Sequence, residues 1–292
     1  MVLDLTNSEK SEIKYKISKF PDGQQTLDLT NFLAGIFIGK SINIKSRLNN
    51  FKDLELIICA NQALKNVGAS RIHLYVPYFL GSRSDRKFQE GGINYLKQVV
   101  CPVINSQEFA SVTTIDPHSD VLEACLNNYI KKSNHDLVKG SLTKIDNKDG
   151  AQNRICLVSP DAGAYKKIFD VAKEFNIERI ITANKVRDMK TGNIIRTEIP
   201  VLDQHSDLTY VIIDDICDGG RTFLELAKVI RDGRPTAKIH LIVTHGIFSS
   251  GLYELSKHID SIFSTNSVSD IDCESHSDYT VNKDYLKQLN VF

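Results

Sequence analysis

Residues Val211 to Thr222, VIIDDICDGGRT, set an unbroken Val/Ile run directly before two adjacent aspartates, and this order constrains the chain more than any other segment. A short, wholly apolar run is the pattern of a buried strand. It predicts a strand whose carboxyl end delivers Asp214 and Asp215 onto a loop holding Asp218, Gly219, Gly220, Arg221 and Thr222, where a helix begins. Open α/β sheets bind ligands outside the carboxyl ends of their strands. Paired acids there accept hydrogen bonds from vicinal hydroxyls, as on a ribose ring, and glycines at a helix amino-terminus offer N–H groups to a phosphate. A sugar phosphate is the ligand this arrangement expects. An acidic strand end that only caps a helix accounts for one of the three aspartates.

The same alternation of Val/Ile-rich runs and helical stretches recurs along the chain and predicts an α/β protein. In the first half a helix from about Asp53 to Val67 leads through Gly68 to a strand Arg71–Val76, and a further strand, Val112–Ile115, ends at Asp116. In the second half the expected order is strand Ile155–Val158, helix Ala162–Phe175, strand Arg179–Thr182, a polar excursion, strand Tyr210–Ile213, helix Thr222–Arg231 and strand Ile239–Val243. The 292 residues are enough for two domains, each with its own core. Lys131 to Arg154 is polar and weakly periodic, so it reads as the interdomain connection, with the boundary near Asn147 and domains at 1–146 and 147–292. No internal repeat is close enough to establish duplication.

Lys plus Arg equals Asp plus Glu at 36 each, so no overall cationic field points to nucleic acid or a membrane surface. Six scattered cysteines with no CxxC spacing read as reduced thiols of a cytosolic protein. The segment MVLDLTNSEK has no basic region before an apolar core, and no later apolar run reaches membrane-spanning length. A soluble, cytoplasmic protein is expected.

Four other segments sit just after apolar runs or between them. PYFLGSRSDRK, Pro77 to Lys87, gathers Arg83, Arg86 and Lys87 around Asp85, which suits a polyphosphate or, equally, a solvated loop with an internal ion pair. DPHS, Asp116 to Ser119, holds His118 behind a stiffening proline, as a ligand or as a structural histidine. VSPDAGA, Val158 to Ala164, puts Asp161 at a strand-to-helix turn, as a ligand or as an N-cap. NKVRDMKTGN, Asn184 to Asn193, carries Lys185 and Arg187 in a stretch without a core face, either a basic flap over a reacting phosphoryl group or an exposed hairpin. A magnesium–nucleotide site accounts for these segments as a set, since magnesium takes few protein ligands beside phosphate and water.

In these motifs the chain resembles the ribose-phosphate pyrophosphokinases, collinearly from about Phe20 to Ser267. The family's PYFGYARQDRK-like segment stands here as PYFLGSRSDRK, its DLHA as DPHS, its VSPDAGG as VSPDAGA, its Lys-x-Arg flap as KVR, its DDxxDTxGT loop as DDICDGGRT and its THGIFSG as THGIFSSG. The resemblance implies two phosphoribosyltransferase-like domains, each a mostly parallel sheet flanked by helices. It implies transfer of the β,γ-diphosphoryl group of ATP, with Mg2+, to the anomeric hydroxyl of ribose 5-phosphate, giving phosphoribosyl pyrophosphate and AMP. Arg83, Ser84, Asp85, Arg86 and His118 then fall on the ATP side. His118 and Asp161 fall on metal ligands, and Lys185 and Arg187 on catalytic flap residues. Asp214, Asp215, Asp218, Gly219, Gly220, Arg221 and Thr222 fall on the ribose-phosphate loop. FPDGQ, Phe20 to Gln24, matches the segment with which a neighbouring subunit covers adenine, Phe20 stacking and Asp22 hydrogen bonding, which implies a homo-oligomer.

Three departures stand out. Arg221 replaces a glycine of the phosphate loop, and Ser84 and Gln24 replace a Gln and a Glu of the adenine pocket. Arg221 either points away or pairs with extra phosphate of a longer acceptor such as ADP-ribose. A phosphoribosyltransferase and a non-catalytic synthetase subunit are the other functional classes the sequence admits.

Overall fold

The computed structural model describes residues 1–33, 35–149, 154–187, 194–199, 208–271 and 285–292, and of 147–149, 185–187 and 194–197 the backbone alone. The chain divides into two units, residues 1–133 with 291–292 and residues 134–290. Each is α/β, as the alternation predicts.

The first unit runs β1 (Val2–Asp4), a hairpin of β2 (Tyr15–Lys19) and β3 (Gln25–Leu29), β4 (Ser41–Lys45), α1 (Phe51–Asn66) and β5 (Arg71–Tyr75). A π-helical turn, Leu96–Val100, runs into α2 (Cys101–Asn105), followed by β6 (Ser111–Ile115), α3 (Val121–Cys125) and β7 (Tyr129–Lys132). β1, β4, β5, β6 and β7 form a parallel sheet in that order. From β4 onward each step goes the same way, so right-handed crossovers place α1, α2 and α3 on one face. Ile42, Ile44, Ile72, Leu74 and Val112 pack there with Leu54, Ile57, Leu64 and Ile104. Strand alternation gives Asn43, Lys45, His73, Ser111 and Thr113 to the opposite face. The Asn50 side chain starts α1 by accepting the N–H groups of Lys52 and Asp53 at 2.8 and 3.1 Å.

The second unit runs α4 (His135–Asp149), β8 (Ile155–Ser159), α5 (Tyr165–Phe175), β9 (Arg179–Thr182) and a hairpin of β10 (Asn184–Arg187) and β11 (Ile194–Glu198). Then come β12 (Thr209–Cys217), α6 (Arg221–Gly233), β13 (Lys238–Gly246), α7 (Tyr253–Ser256), β14 (Ser261–Thr265) and β15 (Leu286–Leu289). The parallel sheet has the order β15-β14-β13-β12-β8-β9. The chain steps outward from β8 to β9 through α5, then returns and proceeds the other way through α6 and α7, which covers both faces. Tyr210 and Ile212 of β12 pack with Phe223, Leu226 and Ile230 on one side. Val211 and Ile213 pack with Val138, Ile168 and Val171 on the other.

The stretch 131–154 is not a linker over most of its length. The units divide between Ser133 and Asn134, and the boundary expected near Asn147 falls inside α4. Leu137, Val138, Ser141, Leu142 and Ile145 are buried at i, i+1, i+4, i+5 and i+8, a helical stripe diluted in the sequence by the charged residues between them. Among the described residues no helix is long and apolar enough to cross a membrane.

Asn50→Ala removes the α1 cap and should lower stability by about 1 kcal/mol, whereas Asn50→Ser, which keeps a capping oxygen, should restore most of it. A drop in the urea midpoint at constant slope is the expected record, and equal midpoints for Asn50→Ala and wild type would contradict the capping role.

Candidate active site

The alternation of β12 between its two cores continues into the acids. Asp214 follows the parity of Tyr210 and Ile212, on the α6 side, and Asp215 that of Val211 and Ile213, on the α5 side. From α5, Lys167 reaches Asp215, its Nζ 3.3 Å from Oδ2, and Asp215 is 5% exposed. The N–H of Asp215 donates to Asp214 Oδ1 at 2.9 Å. Asp214 keeps some accessible surface, but protein atoms crowd its carboxyl. That desolvation, then the charge of and hydrogen bonding to Asp215, with a smaller push from Asp161, hold its carboxyl well above the usual carboxylate range.

Asp161 stands two residues past β8. Its Oδ1 accepts the Ala164 N–H at 3.1 Å and its carbonyl accepts the Ser159 hydroxyl at 2.7 Å. Asp161 is not the N-cap weighed for it: α5 starts at Tyr165, later than the expected Ala162, so the cap position falls on Ala164 and Asp161 braces the turn before it, while its field also reaches Asp214. Asp218 Oδ1 accepts the Ser249 hydroxyl at 2.6 Å, while Cys217 O accepts the N–H groups of Ile247 and Phe248 at 2.8 and 3.2 Å. The THGIFSSG segment thus clamps the loop after β12. Gly220 takes φ +76° to turn the chain into α6, a conformation that favours glycine. A side chain there would also meet Leu255 at 3.0 Å. Behind it the first N–H groups of α6, through Arg221 and Thr222, lack intrahelical acceptors by helix geometry. Arg221 itself is exposed, its Nε donating to Glu225 one turn along at 2.7 Å. Burial, with Asp214 and Asp218, pushes the Cys217 thiol far up, so it sits among these groups as a protonated, apolar side chain.

In the first unit the loops after β5 and β6 leave neighbouring strands. Their bases are tied by Val76 N–H to Thr113 O and Ile115 N–H to Pro77 O, both 3.0 Å. Arg83 is exposed on the first loop, where Ser84 N–H bonds Gly81 O at 2.8 Å and Arg86 lies 3.7 Å from Asp85 and over the ring of Phe88. The second loop turns at Asp116, φ +41°, and presents an exposed His118 behind Pro117. Phe20, Asp22 and Gln24 occupy the β2–β3 turn, where Gln24 N–H bonds Asp22 Oδ1 at 3.1 Å and Phe20 is 52% exposed. That hairpin is anchored on α1 through Gln25 and Glu55, at 3.0 and 3.1 Å.

Lys185 and Arg187 lie on β10 opposite Thr197 and Ile194 of β11, so the basic excursion is at least in part an antiparallel hairpin. Their side chains, and Met189 and Gly192, lie outside the described residues. Within the second unit Asp161, Asp214 and Asp215 come together, and the loop Asp218–Thr222 meets Ser249. Sequence reasoning missed Lys167 and Ser249. The signal for Lys167 was its place four residues before the core residue Val171, on the flank of the apolar face of α5.

The phosphoribosyl transferase domain family matches residues 130–282, just over half of the chain. Ribose-phosphate pyrophosphokinases of Marinomonas sp. (strain MWYL1) and Haemophilus ducreyi are each 26% identical, over 86% and 80% of this chain and 78% and 71% of their own. That of Sulfurisphaera tokodaii is 23% identical over 88% of this chain and 84% of its own. The crystal structure of phosphoribosylpyrophosphate synthetase from Mycobacterium smegmatis superposes with a TM-score of 0.77 over 97% of this chain and 88% of that one, at 16% identity. This likeness establishes the fold.

A carboxyl whose folded-state pKa exceeds its unfolded one binds its proton more tightly when folded, so its contribution to stability is lost as pH rises through the raised value. Asp214→Asn should therefore melt higher than wild type at neutral pH in chelator-treated buffer, with the advantage fading as pH falls through the raised value and gone below about pH 4, the unfolded carboxyl range. A variant that melts lower at pH 7 and recovers on acidification would reverse the sign and refute the assignment.

Proposed function

The chain belongs to the phosphoribosyl transferase domain family, among the ribose-phosphate pyrophosphokinases, and on that premise we propose that it transfers the β,γ-diphosphoryl group of ATP to the anomeric hydroxyl of ribose 5-phosphate, releasing AMP. The observation that carries this reading is β12, which ends in Asp214 and Asp215 and turns at Gly220 into the amino-terminus of α6. Those acids would take the ribose hydroxyls. The backbone of Asp218, Gly219, Gly220, Arg221 and Thr222 would take the 5-phosphate. On the ATP side we place Arg83, Ser84, Asp85, Arg86 and His118. The exposed Phe20 at the β2–β3 turn supports a neighbouring copy covering adenine with Phe20, Asp22 and Gln24.

Among the described residues no three His, Cys, Asp or Glu side chains form a closed metal cage. Magnesium carried by a polyphosphate asks for one or two protein ligands, and an exposed imidazole and a strand-end carboxylate, His118 and Asp161, fit that donor set. The ion would neutralise phosphate charge as it shifts. Attack by a weak sugar hydroxyl needs positioning and charge neutralisation more than a strong base. Lys185 and Arg187 on β10 are the proposed stabilisers of the transferring group. The same chemistry on ADP-ribose draws no support from the relatives' names, and Arg221 is engaged by Glu225.

Incubation with ATP, magnesium and ribose 5-phosphate should yield AMP and a diphosphorylated sugar by mass, and their absence would end this reading. Lys185→Ala or Arg187→Ala should each lower turnover about a hundredfold or more with little change in the Michaelis constant for ATP. A pure binding defect would instead make the hairpin structural. Arg221→Gly should leave the ratio of specificity constants for ribose 5-phosphate and ADP-ribose within about threefold of wild type, since an exposed i,i+4 pair is worth little. A shift toward ribose 5-phosphate of about tenfold, equivalent to roughly 1.4 kcal/mol, would instead assign Arg221 to the acceptor.

A further inference from the structure

We propose that Lys167 is a positioning residue for the acceptor sugar, fixing the Asp215 carboxylate in the orientation that receives a ribose hydroxyl. The inference rests on reading this edge of the sheet as a ribose-phosphate site. Each acid here has its own holder: the Ala164 N–H for Asp161, the Asp215 N–H for Asp214, the Ser249 hydroxyl for Asp218. Asp215, the most enclosed, has a side-chain cation, Lys167, at 3.3 Å. The Lys167 ammonium comes from a different element, α5, and its side chain is 36% exposed, so it reaches the acid from the rim of the site.

Neighbouring carboxylates repel one another, and an enclosed one without a cation to hold it is pushed out of place. That would remove a hydrogen-bond acceptor from the place where the sugar hydroxyls must sit. The contact with Lys167 at 3.3 Å opposes it. Its compact charge on a flexible stem is the kind of cation that serves a single carboxylate oxygen. Val171, one turn along α5, is buried in the core shared with Val211 and Ile213, which anchors the helix that carries the lysine.

The test is equilibrium binding of ribose 5-phosphate, without ATP, to wild type, Lys167→Met, Lys167→Arg, Asp215→Asn and the double variant Lys167→Met/Asp215→Asn. Lys167→Met should weaken binding about tenfold or more, the scale of a charge-assisted hydrogen bond, and Lys167→Arg should stay within about threefold of wild type. The double variant should bind no more weakly than Asp215→Asn, because a lysine that acts through Asp215 has nothing left to act on. If Lys167→Met does not fold, the comparison of Asp215→Asn with the double variant decides, since neither leaves an unpaired enclosed carboxylate at 215. Unchanged binding in Lys167→Met, an arginine variant as weak as the methionine one, or losses that add in the double variant overturn the proposal. Wild type that binds ribose 5-phosphate but forms no AMP with ATP overturns the proposed reaction and leaves Lys167 in place. Wild type that does not bind ribose 5-phosphate overturns both.

Discussion

The alternation of one strand between two cores sets the rest of the site. β12 gives Tyr210 and Ile212 to the core under α6 and Val211 and Ile213 to the core against α4 and α5. A register slip of one residue would exchange every side chain between the two, so the flanking helices hold the strand in place. The aspartates inherit that order. Asp215 emerges toward α5 and meets Lys167, while Asp214 emerges toward α6 and the glycine turn. The loop after β13 then locks the turn through Cys217 O and Asp218. The site's precision is thus borrowed from hydrophobic packing a few residues upstream.

The central strands of the second unit were legible because both faces of its sheet are covered, so Ile155–Val158 and Tyr210–Ile213 read as continuous apolar runs, whereas β14 and β15 were not anticipated. In the first unit, β4 is Ser-Ile-Asn-Ile-Lys and β7 is Tyr-Ile-Lys-Lys, strands with few core residues each, and no expectation was set for either. α4 hid for a related reason, since its apolar stripe is narrow and charged residues fill the rest. Of the site, the acids and glycines were readable from their place after an apolar run. Lys167 and Ser249 were not, because their partners are distant in sequence and only packing reveals them.

The two units share a local feature, a histidine–serine pair across neighbouring parallel strands. His73, third residue of β5, bonds Ser111, first residue of β6, Nδ1 to Oγ at 2.7 Å. His240, third residue of β13, bonds Ser261, first residue of β14, at the same 2.7 Å. Both histidines sit in an Ile-His-Leu sequence, and in both pairs histidine and serine are register partners on parallel strands. The two frames differ in the length of their connections. Residues 76–110 separate β5 from β6, whereas 247–260 separate β13 from β14, and the longer connection is the one that carries Arg83, Asp85 and Arg86. The same strand–helix–strand arrangement thus carries connections of different length, which a rigid scaffold tolerates at little cost.

His73 and His240 are each held by a serine hydroxyl on the neighbouring strand and His245 by Ser267 just past β14, while the Cys217 thiol beside the acids is kept protonated by burial. Among the described residues, those brought together at the strand ends of the second unit include Asp161, Asp214, Asp215, Lys167 and the glycine turn, groups that on the proposed reading would orient a hydroxylated, phosphorylated ligand without attacking it. Crowding carboxylates in this way opposes folding, as the raised Asp214 carboxyl shows, and it is tolerated because the strand beneath them is buried on both faces. The proposed transfer, between two substrates that supply both the nucleophile and the leaving group, would ask for that division of labour. The protein's part would then be to hold the sugar hydroxyl in line and to balance charge on the moving phosphates.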